Sequence, residues 1–369
     1  MQKKDILIFT SILYLLLGTT VSLVLIIVTL PFVANGHLKL ENLIPKSDWE
    51  IAQETDFFTK DYNVSLLVEN EQNKKIKYGY ELITNTHKYI GPHNGDSKKI
   101  YTGNELSCKN CHLGSGTKAF SAPYIGVTKK FPEFRNREGK IGTIEDRING
   151  CMQRSMNGKK LPNGSDEMKA IVAYMEWLST GVPKDFKPNG QGFIKINIPN
   201  RKVDLAHGNN VYQTSCIACH GDNGQGVKNR GTGYIYPPLW GNDTYNHGAG
   251  MHRVLTAAQF IKGNMPLGAT ANNPILTDEE AYDVAGYINS FKRPLKRNAK
   301  IDFPDKKLKP VSTPYGPYAD SFSSEQHQYG PFQEIIDYYK KEFDINNTKQ
   351  LLHAVTLQST RHVLSLFYK

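Results

Sequence analysis

The sequence predicts a mainly α-helical chain in which two like domains follow one another behind an N-terminal transmembrane helix. Three observations carry this. An uncharged apolar run occupies Ile6 to Val33, and two Cys-x-x-Cys-His segments stand 108 residues apart. Around each segment the same order recurs: a helix before it, a Gly-rich loop after it and a periodic apolar helix to close. The boundaries read as 1–37 for the membrane segment, 38–181 and 204–299 for the two domains, and 300–369 for a C-terminal extension. A linker over 182–203 is punctuated by Pro183, Pro188, Gly190 and Pro199.

Lys3 and Lys4 precede the apolar run, which exceeds the roughly 20 residues a helix needs to cross a bilayer. A cleaved signal peptide would have a shorter apolar core and small residues at its cleavage site. Phe32-Val33-Ala34-Asn35 puts a bulky Phe32 where a small residue belongs. An uncleaved anchor is expected, with the lysines cytoplasmic and the rest on the periplasmic side of a bacterial inner membrane. The alternative is a soluble periplasmic protein released by cleavage. The formal net charge is +10, yet no Lys/Arg run of five or more and no nucleic-acid motif occurs, so nucleic acid is not an expected partner. Small anions or an acidic partner protein suit the balance, as would dispersed, solvated lysines.

Tyr78 to Ile90 and Leu205 to Thr214 read as the helices before the two motifs. Cys108-Lys109-Asn110-Cys111-His112 and Cys216-Ile217-Ala218-Cys219-His220 have the spacing that attaches haem. Two thiols add to the vinyl groups and the adjacent histidine places a ring nitrogen on the iron. Zinc sites and redox dithiols do not require His directly after the second Cys. Two covalently bound haem c groups are therefore expected, ligated by His112 and His220. The loops that follow are Gly114-Ser115-Gly116 and Gly221 to Gly226. Ser165 to Leu178 closes the first domain, with Met168, Ile171, Val172, Met175 and Leu178 on one stripe. Thr277 to Phe291 closes the second, with Asp278, Glu279 and Glu280 in its first turn. This order resembles the class I cytochrome c fold, used twice. In the extension, Pro304 to Gly330 reads as loop. Gln333 to Phe343 and Thr348 to Phe367 read as helices that pack on the rest of the chain or dock a partner.

Each iron needs a sixth ligand. For the second, Lys262-Gly263-Asn264-Met265-Pro266 lies 45 residues after His220, and a methionine in a short loop before the closing helix is where class I cytochromes resemble one another. Met265 is the expected ligand. Met251, ahead of an apolar helical stretch, is its rival. His/Met ligation raises the potential and suits electron transfer. In the first domain the corresponding place, 39 residues after His112, holds Cys151. Thr143-Ile144-Glu145-Asp146 is a helix start signal and Asn157-Gly158 a stop. Within that helix Arg147, Cys151 and Ser155 share one face, and Ile144, Ile148 and Met152 the other. A thiol one turn from a guanidinium and one turn from a hydroxyl favours the thiolate, the form that acts as nucleophile and metal ligand. The alternative is a buried free cysteine packing as a small hydrophobe, with Met152 or Met156 as ligand.

Phe134 to Gly139 and Thr143 to Gly158 resemble the active-site stretch of the dihaem thiosulfate dehydrogenase / tetrathionate reductase family. Gly248 to Val254 and Asn264-Met265-Pro266 are also similar, and the resemblance covers roughly 75–295. It implies Cys151 as distal ligand of the first, catalytic haem. It also implies Arg137, Arg147 and Ser155 as lining of a pocket for thiosulfate and tetrathionate, with an external cytochrome as electron donor or acceptor. Some members have a lysine before the distal methionine that exchanges with it on reduction. Asn264 stands there in this chain, so His220/Met265 ligation should persist in both redox states and the reductive direction is plausible. Two rivals remain: a pure electron carrier, which leaves Cys151 and its arginines without purpose, and a haem-thiolate subunit that conjugates thiosulfate to a carrier protein's cysteine.

Overall fold

The computed structural model describes residues 3–34, 45–229 and 233–345. They fall into two units, divided after Glu54. The first contains a helix over Lys3–Ala34 and a short one over Asp48–Glu54. Thr10–Val28 of the long helix has a mean hydropathy of 2.5 and none of it is buried within the protein, so by length and composition it can cross a membrane.

In the second unit each half is built on a crossed helix pair. Glu71–Thr84 packs on Asp166–Leu178, and Leu205–Ser215 packs on Asp278–Ser290. The crossings are close because both sit on glycine. A Cβ at Gly79 would lie 2.0 Å from the Ala170 carbonyl oxygen, and one at Gly208 would lie 2.2 Å from that of Asp283. The four helices carry side-chain N-caps from Asn70, Ser165, Asp204 and Thr277. The helix expected over Tyr78 to Ile90 starts earlier and breaks at Asn85 into a second piece, Thr86–Ile90. Of the predicted apolar stripe of the first closing helix, Met168, Ile171, Met175 and Leu178 are buried and Val172 is half-buried.

Two short antiparallel hairpins, 133–135 with 140–142 and 227–229 with 233–236, were not foreseen. Their strands are three or four residues long, too short for alternation to register. The segment 182–203 is strapped at both ends. Gln191 Nε2 donates to Ile125 O at 2.6 Å in the first half, and Asn197 N to Asp278 Oδ2 at 2.8 Å in the second.

The extension is integral to the second half. Val311, Phe332, Ile335, Ile336 and Tyr339 join Val211, Tyr212, Leu255 and Tyr282 in one apolar cluster. Phe332–Phe343 is helical, and the stretch expected as loop contains a further helix, Ser324–Tyr329. The helix expected over Thr348 to Phe367 lies outside the described residues.

Side-chain amides lock the halves together. Asn104 Nδ2 donates to Ser155 O at 2.9 Å and Thr244 O at 3.1 Å. Asn246 reaches Gln153 O through Nδ2 at 2.9 Å and Arg154 O through its backbone N at 3.1 Å. Asn264 Nδ2 donates to Phe120 O at 3.1 Å.

Candidate active site

The helix carrying Cys151 runs over Ile144–Arg154 and begins with a reciprocal capping box between Thr143 and Asp146. Ile144, Ile148 and Met152 bury its apolar face. Asn149 fixes its axial position: Leu161 N donates to its Oδ1 at 2.8 Å, and its Nδ2 donates to Leu161 O at 3.0 Å. Its last carbonyls would be orphaned; Asn104 of the first half and Asn246 of the second supply their donors.

On the opposite face Arg147 Nη1 lies 2.7 Å from Cys151 Sγ. Burial pushes the Cys151 thiol up, but the Arg147 guanidinium, the His112 ring and Arg154 outweigh it and bring the thiol down to about 5. Cys108, Cys111 and Cys216 run the opposite way. Burial pushes Cys108 up to about 11, Cys111 to about 12 and Cys216 to about 11. Cys151 is thus a thiolate at neutral pH, and it faces the imidazole of His112.

Each half holds its motif in a way that fits covalent haem. Cys108, Cys111, Cys216 and Cys219 are free and half-buried. His112 Nδ1 donates to Ala122 O at 2.6 Å, and His220 Nδ1 donates to Pro237 O at 2.8 Å. Both rings are thereby oriented through Nδ1, which leaves Nε2 as the nitrogen that would bind the iron. Cys108 N is anchored to Thr86 Oγ1 at 3.0 Å, which joins the first motif to the helix before it. On the second-haem side, Met265 caps the helix Val254–Asn264, and both Met265 and Met251 lie half-buried against the apolar cluster. The Met251 carbonyl accepts from Asn289 Nδ2 at 3.0 Å.

Of the predicted residues, Cys151, Arg147 and His112 come together. Ser155 stands one turn beyond Cys151, as the C-cap of its helix. Arg137 is buried and has one edge committed: its Nη1 lies 2.7 Å from Asp302 Oδ2 and donates to Tyr315 Oη at 2.8 Å. Its guanidinium also stacks 4.7 Å over Phe303.

Sequence reasoning missed four residues here. Arg154 follows Cys151 by three and Arg147 by seven, so helical spacing could have found it. Its guanidinium lies over Gly150, where a Cβ would come within 2.6 Å of Nη2. Arg253, Asp302 and Tyr315 arrive from distant segments and carry no local signal. Burial, with Arg137 nearby, brings Arg154 down to about 10; burial and the same neighbour bring Arg253 to about 9. The site is a cationic cluster, buried at Arg137, Arg154 and Arg253, around one half-buried thiolate, an arrangement that suits anions.

A family model described as the SoxA/TsdA cytochrome c domain matches residues 98–183, and one described as cytochrome c matches 205–292. A thiosulfate dehydrogenase of Psychrobacter arcticus is 39% identical over 241 residues, 65% of this chain and 70% of its own length. One from Allochromatium vinosum is 44% identical over 199 residues, 53% of this chain and 72% of its own. Among solved structures, the as-isolated thiosulfate dehydrogenase TsdBA of Marichromatium purpuratum superposes with a TM-score of 0.58 at 33% identity. That match covers 63% of this chain, which spans 49% of the other.

Proposed function

The chain belongs to the dihaem thiosulfate dehydrogenase family, and from that premise we propose that it interconverts two thiosulfates and one tetrathionate plus two electrons, with Cys151 as the reacting sulfur. It carries two covalent haem c groups, one in each cytochrome c domain, and these domains lie outside the cytoplasm. The long apolar helix is proposed as an uncleaved anchor in the inner membrane. Alkaline washing should then leave the protein with the membrane fraction; release into the wash would refute the anchor.

The observation that carries the chemistry is the Arg147–Cys151 pair at 2.7 Å, with the thiol brought down to about 5. Cys108, Cys111 and His112 would hold the first haem, with Cys151 opposite His112. Cys216, Cys219, His220 and Met265 would hold the second. When bound, these haems supply or accept the electrons one at a time and pass them to or from an external cytochrome. In the reductive direction the Cys151 thiolate attacks an inner sulfur of tetrathionate. A sulfur–sulfur bond to Cys151 forms, the substrate's central bond breaks, and one thiosulfate leaves. Two electrons then cleave the new bond, releasing the second thiosulfate and restoring the thiolate. Oxidation runs the same steps backwards. Arg147 steadies the thiolate before attack and the leaving anion after it. Arg137, Arg147 and Ser155 are assigned to substrate, where charge-assisted hydrogen bonds offset the repulsion between dianions. Two unit charges 4 Å apart already repel by about 4 kcal/mol at an effective dielectric of 20.

The test is turnover of thiosulfate with a simple electron acceptor and no carrier protein, which neither an electron carrier nor a conjugating subunit would perform. Cys151→Ala should keep both haems and lose essentially all turnover. Cys151→Met should restore six-coordination without turnover, since a thioether cannot form the adduct. Near wild-type rates in Cys151→Ala would return Cys151 to a structural role.

A further inference from the structure

Arg253 comes from the second half, where it precedes the helix Val254–Asn264, yet the charges of the first half's cationic cluster act on it. It is 8% exposed, and its Nη1 is fully buried with no hydrogen-bond partner among the described residues. Its Nε reaches only the Gly250 carbonyl, at a long 3.4 Å. A buried guanidinium nitrogen left bare is costly, and native folds keep such a group only where something fills it.

The surrounding geometry says where it lies. Asn246, on the loop that leads to Arg253, donates from its backbone to Arg154 O at 3.1 Å. The ring of His247, next along that loop, packs against Tyr315 at 4.9 Å. Tyr315 in turn holds Arg137 at 2.8 Å. The loop is thereby laid across the end of the Cys151 helix, and Arg137, Tyr315, Arg154 and Arg147 are the charged and polar groups that Arg253 feels most strongly.

Nearby carboxylates are already occupied. Asp302 bridges Arg137 at 2.7 Å and Lys296 at 2.9 Å. Glu138 holds Arg135 at 3.0 Å and Arg154 at 3.6 Å. Among the described residues no carboxylate pairs with Arg253.

We propose that Arg253 and Arg154, one from each half, form an oxyanion subsite beside the Cys151 thiolate. A planar guanidinium edge fits a sulfonate or a carboxylate through paired hydrogen bonds. Two sources share that chemistry: the outer sulfonate of tetrathionate, and a propionate of the haem on Cys108 and Cys111. The first source rests on the function proposed above; the second does not.

The experiment uses the dihaem holoprotein with Arg253→Gln and Arg253→Lys, haem content being checked first. Two quantities are measured: equilibrium binding of tetrathionate to the oxidised protein, and the reduction potential of the first haem. Removing one charge-assisted hydrogen bond should weaken tetrathionate binding about tenfold or more in Arg253→Gln, with a smaller loss in Arg253→Lys. That result assigns the subsite to the sulfonate. Unchanged binding with a lowered first-haem potential assigns it to the propionate, because a positive charge has been taken from beside the iron. If neither quantity moves, the subsite does not exist. Should Arg253→Gln fail to retain haem, Arg253→Met, which removes the charge but keeps an apolar stem of similar length, carries both readouts. Neither readout requires turnover, so failure here is separable from failure of the Cys151 chemistry.

Discussion

Asp302→Asn tests whether the C-terminal extension holds Arg137, proposed above as a substrate-binding arginine. Asp302 is 6% exposed and accepts from three groups: Arg137 at 2.7 Å, Tyr315 Oη at 2.7 Å and Lys296 Nζ at 2.9 Å. Replacing the carboxylate with an amide keeps the shape but leaves two buried cations facing a neutral group. Breaking a buried pair in this way costs about 3–5 kcal/mol. Tyr315→Phe spares the ion pair and removes one hydrogen bond to a charged group, which should cost about 1.5–3 kcal/mol. The two share a partner, so the double variant should be less destabilised than the sum.

Denaturant unfolding of the holoprotein at pH 7 and again near pH 3 reads both effects. Burial alone would raise the Asp302 carboxyl, but Arg137, Lys296 and Tyr315 outweigh it and hold it below its ordinary range. A carboxyl lowered in the folded state contributes stability that is present above its unfolded value, about 3.9, and lost as pH falls through the folded value. The gap between wild type and Asp302→Asn should therefore be full at pH 7 and shrink as the pH drops below about 4. A cost under about 1 kcal/mol at pH 7, or a gap that does not narrow in acid, would refute the assignment.

Met265→Ala should abolish the methionine-to-iron absorption signature of the second haem while Met251→Ala preserves it; the reverse pattern would transfer ligation to Met251. Arg147→Lys keeps the charge but loses the planar fork, so kcat/KM for thiosulfate should fall about ten- to a hundredfold with both haems retained. An unchanged kcat/KM would remove Arg147 from the substrate's surroundings.

Much of the fold was legible because its signals are local. The closing helices announce themselves through Ser165 and Thr277 as N-caps and through stripes that prove largely buried. The Cys151 helix is bounded by Thr143 at its start, and Arg147 meets Cys151 as i, i+4 spacing requires. The unread parts depend on contacts between distant segments. Nothing near Asp302 or Tyr315 in sequence hints at Arg137, which lies more than 160 residues away. Arg253 reads locally as a residue heading an apolar helix, and only the crossing of the two halves turns it toward Arg154. The short hairpins fail for another reason: three residues cannot display a period of two.

The cluster also bears on whether this chain is a catalyst or a carrier. Arg137, Arg154 and Arg253 are buried and Arg147 is half-buried, and Arg137 has the nearest carboxylate of the four, Asp302 at 2.7 Å. Arg147 faces a thiolate, Arg154 reaches Glu138 at 3.6 Å, and Arg253 has a bare nitrogen. Burial, reinforced by repulsion between like charges so placed, holds Arg154 and Arg253 well below the ordinary arginine range. The fold sustains this through interlocking amides at Asn104, Asn246 and Asn264. An electron carrier gains nothing from such a pocket, since ligation of an iron needs one thiolate and at most one neighbour to lower its pKa. A reaction that assembles or splits a dianion against a thiolate needs cations placed before the anion arrives, in a site that excludes water. Around Cys151 the cations come from both halves, with a neighbouring brace from the extension, so under the proposed chemistry the second half would serve the reacting site as well as carrying its own haem.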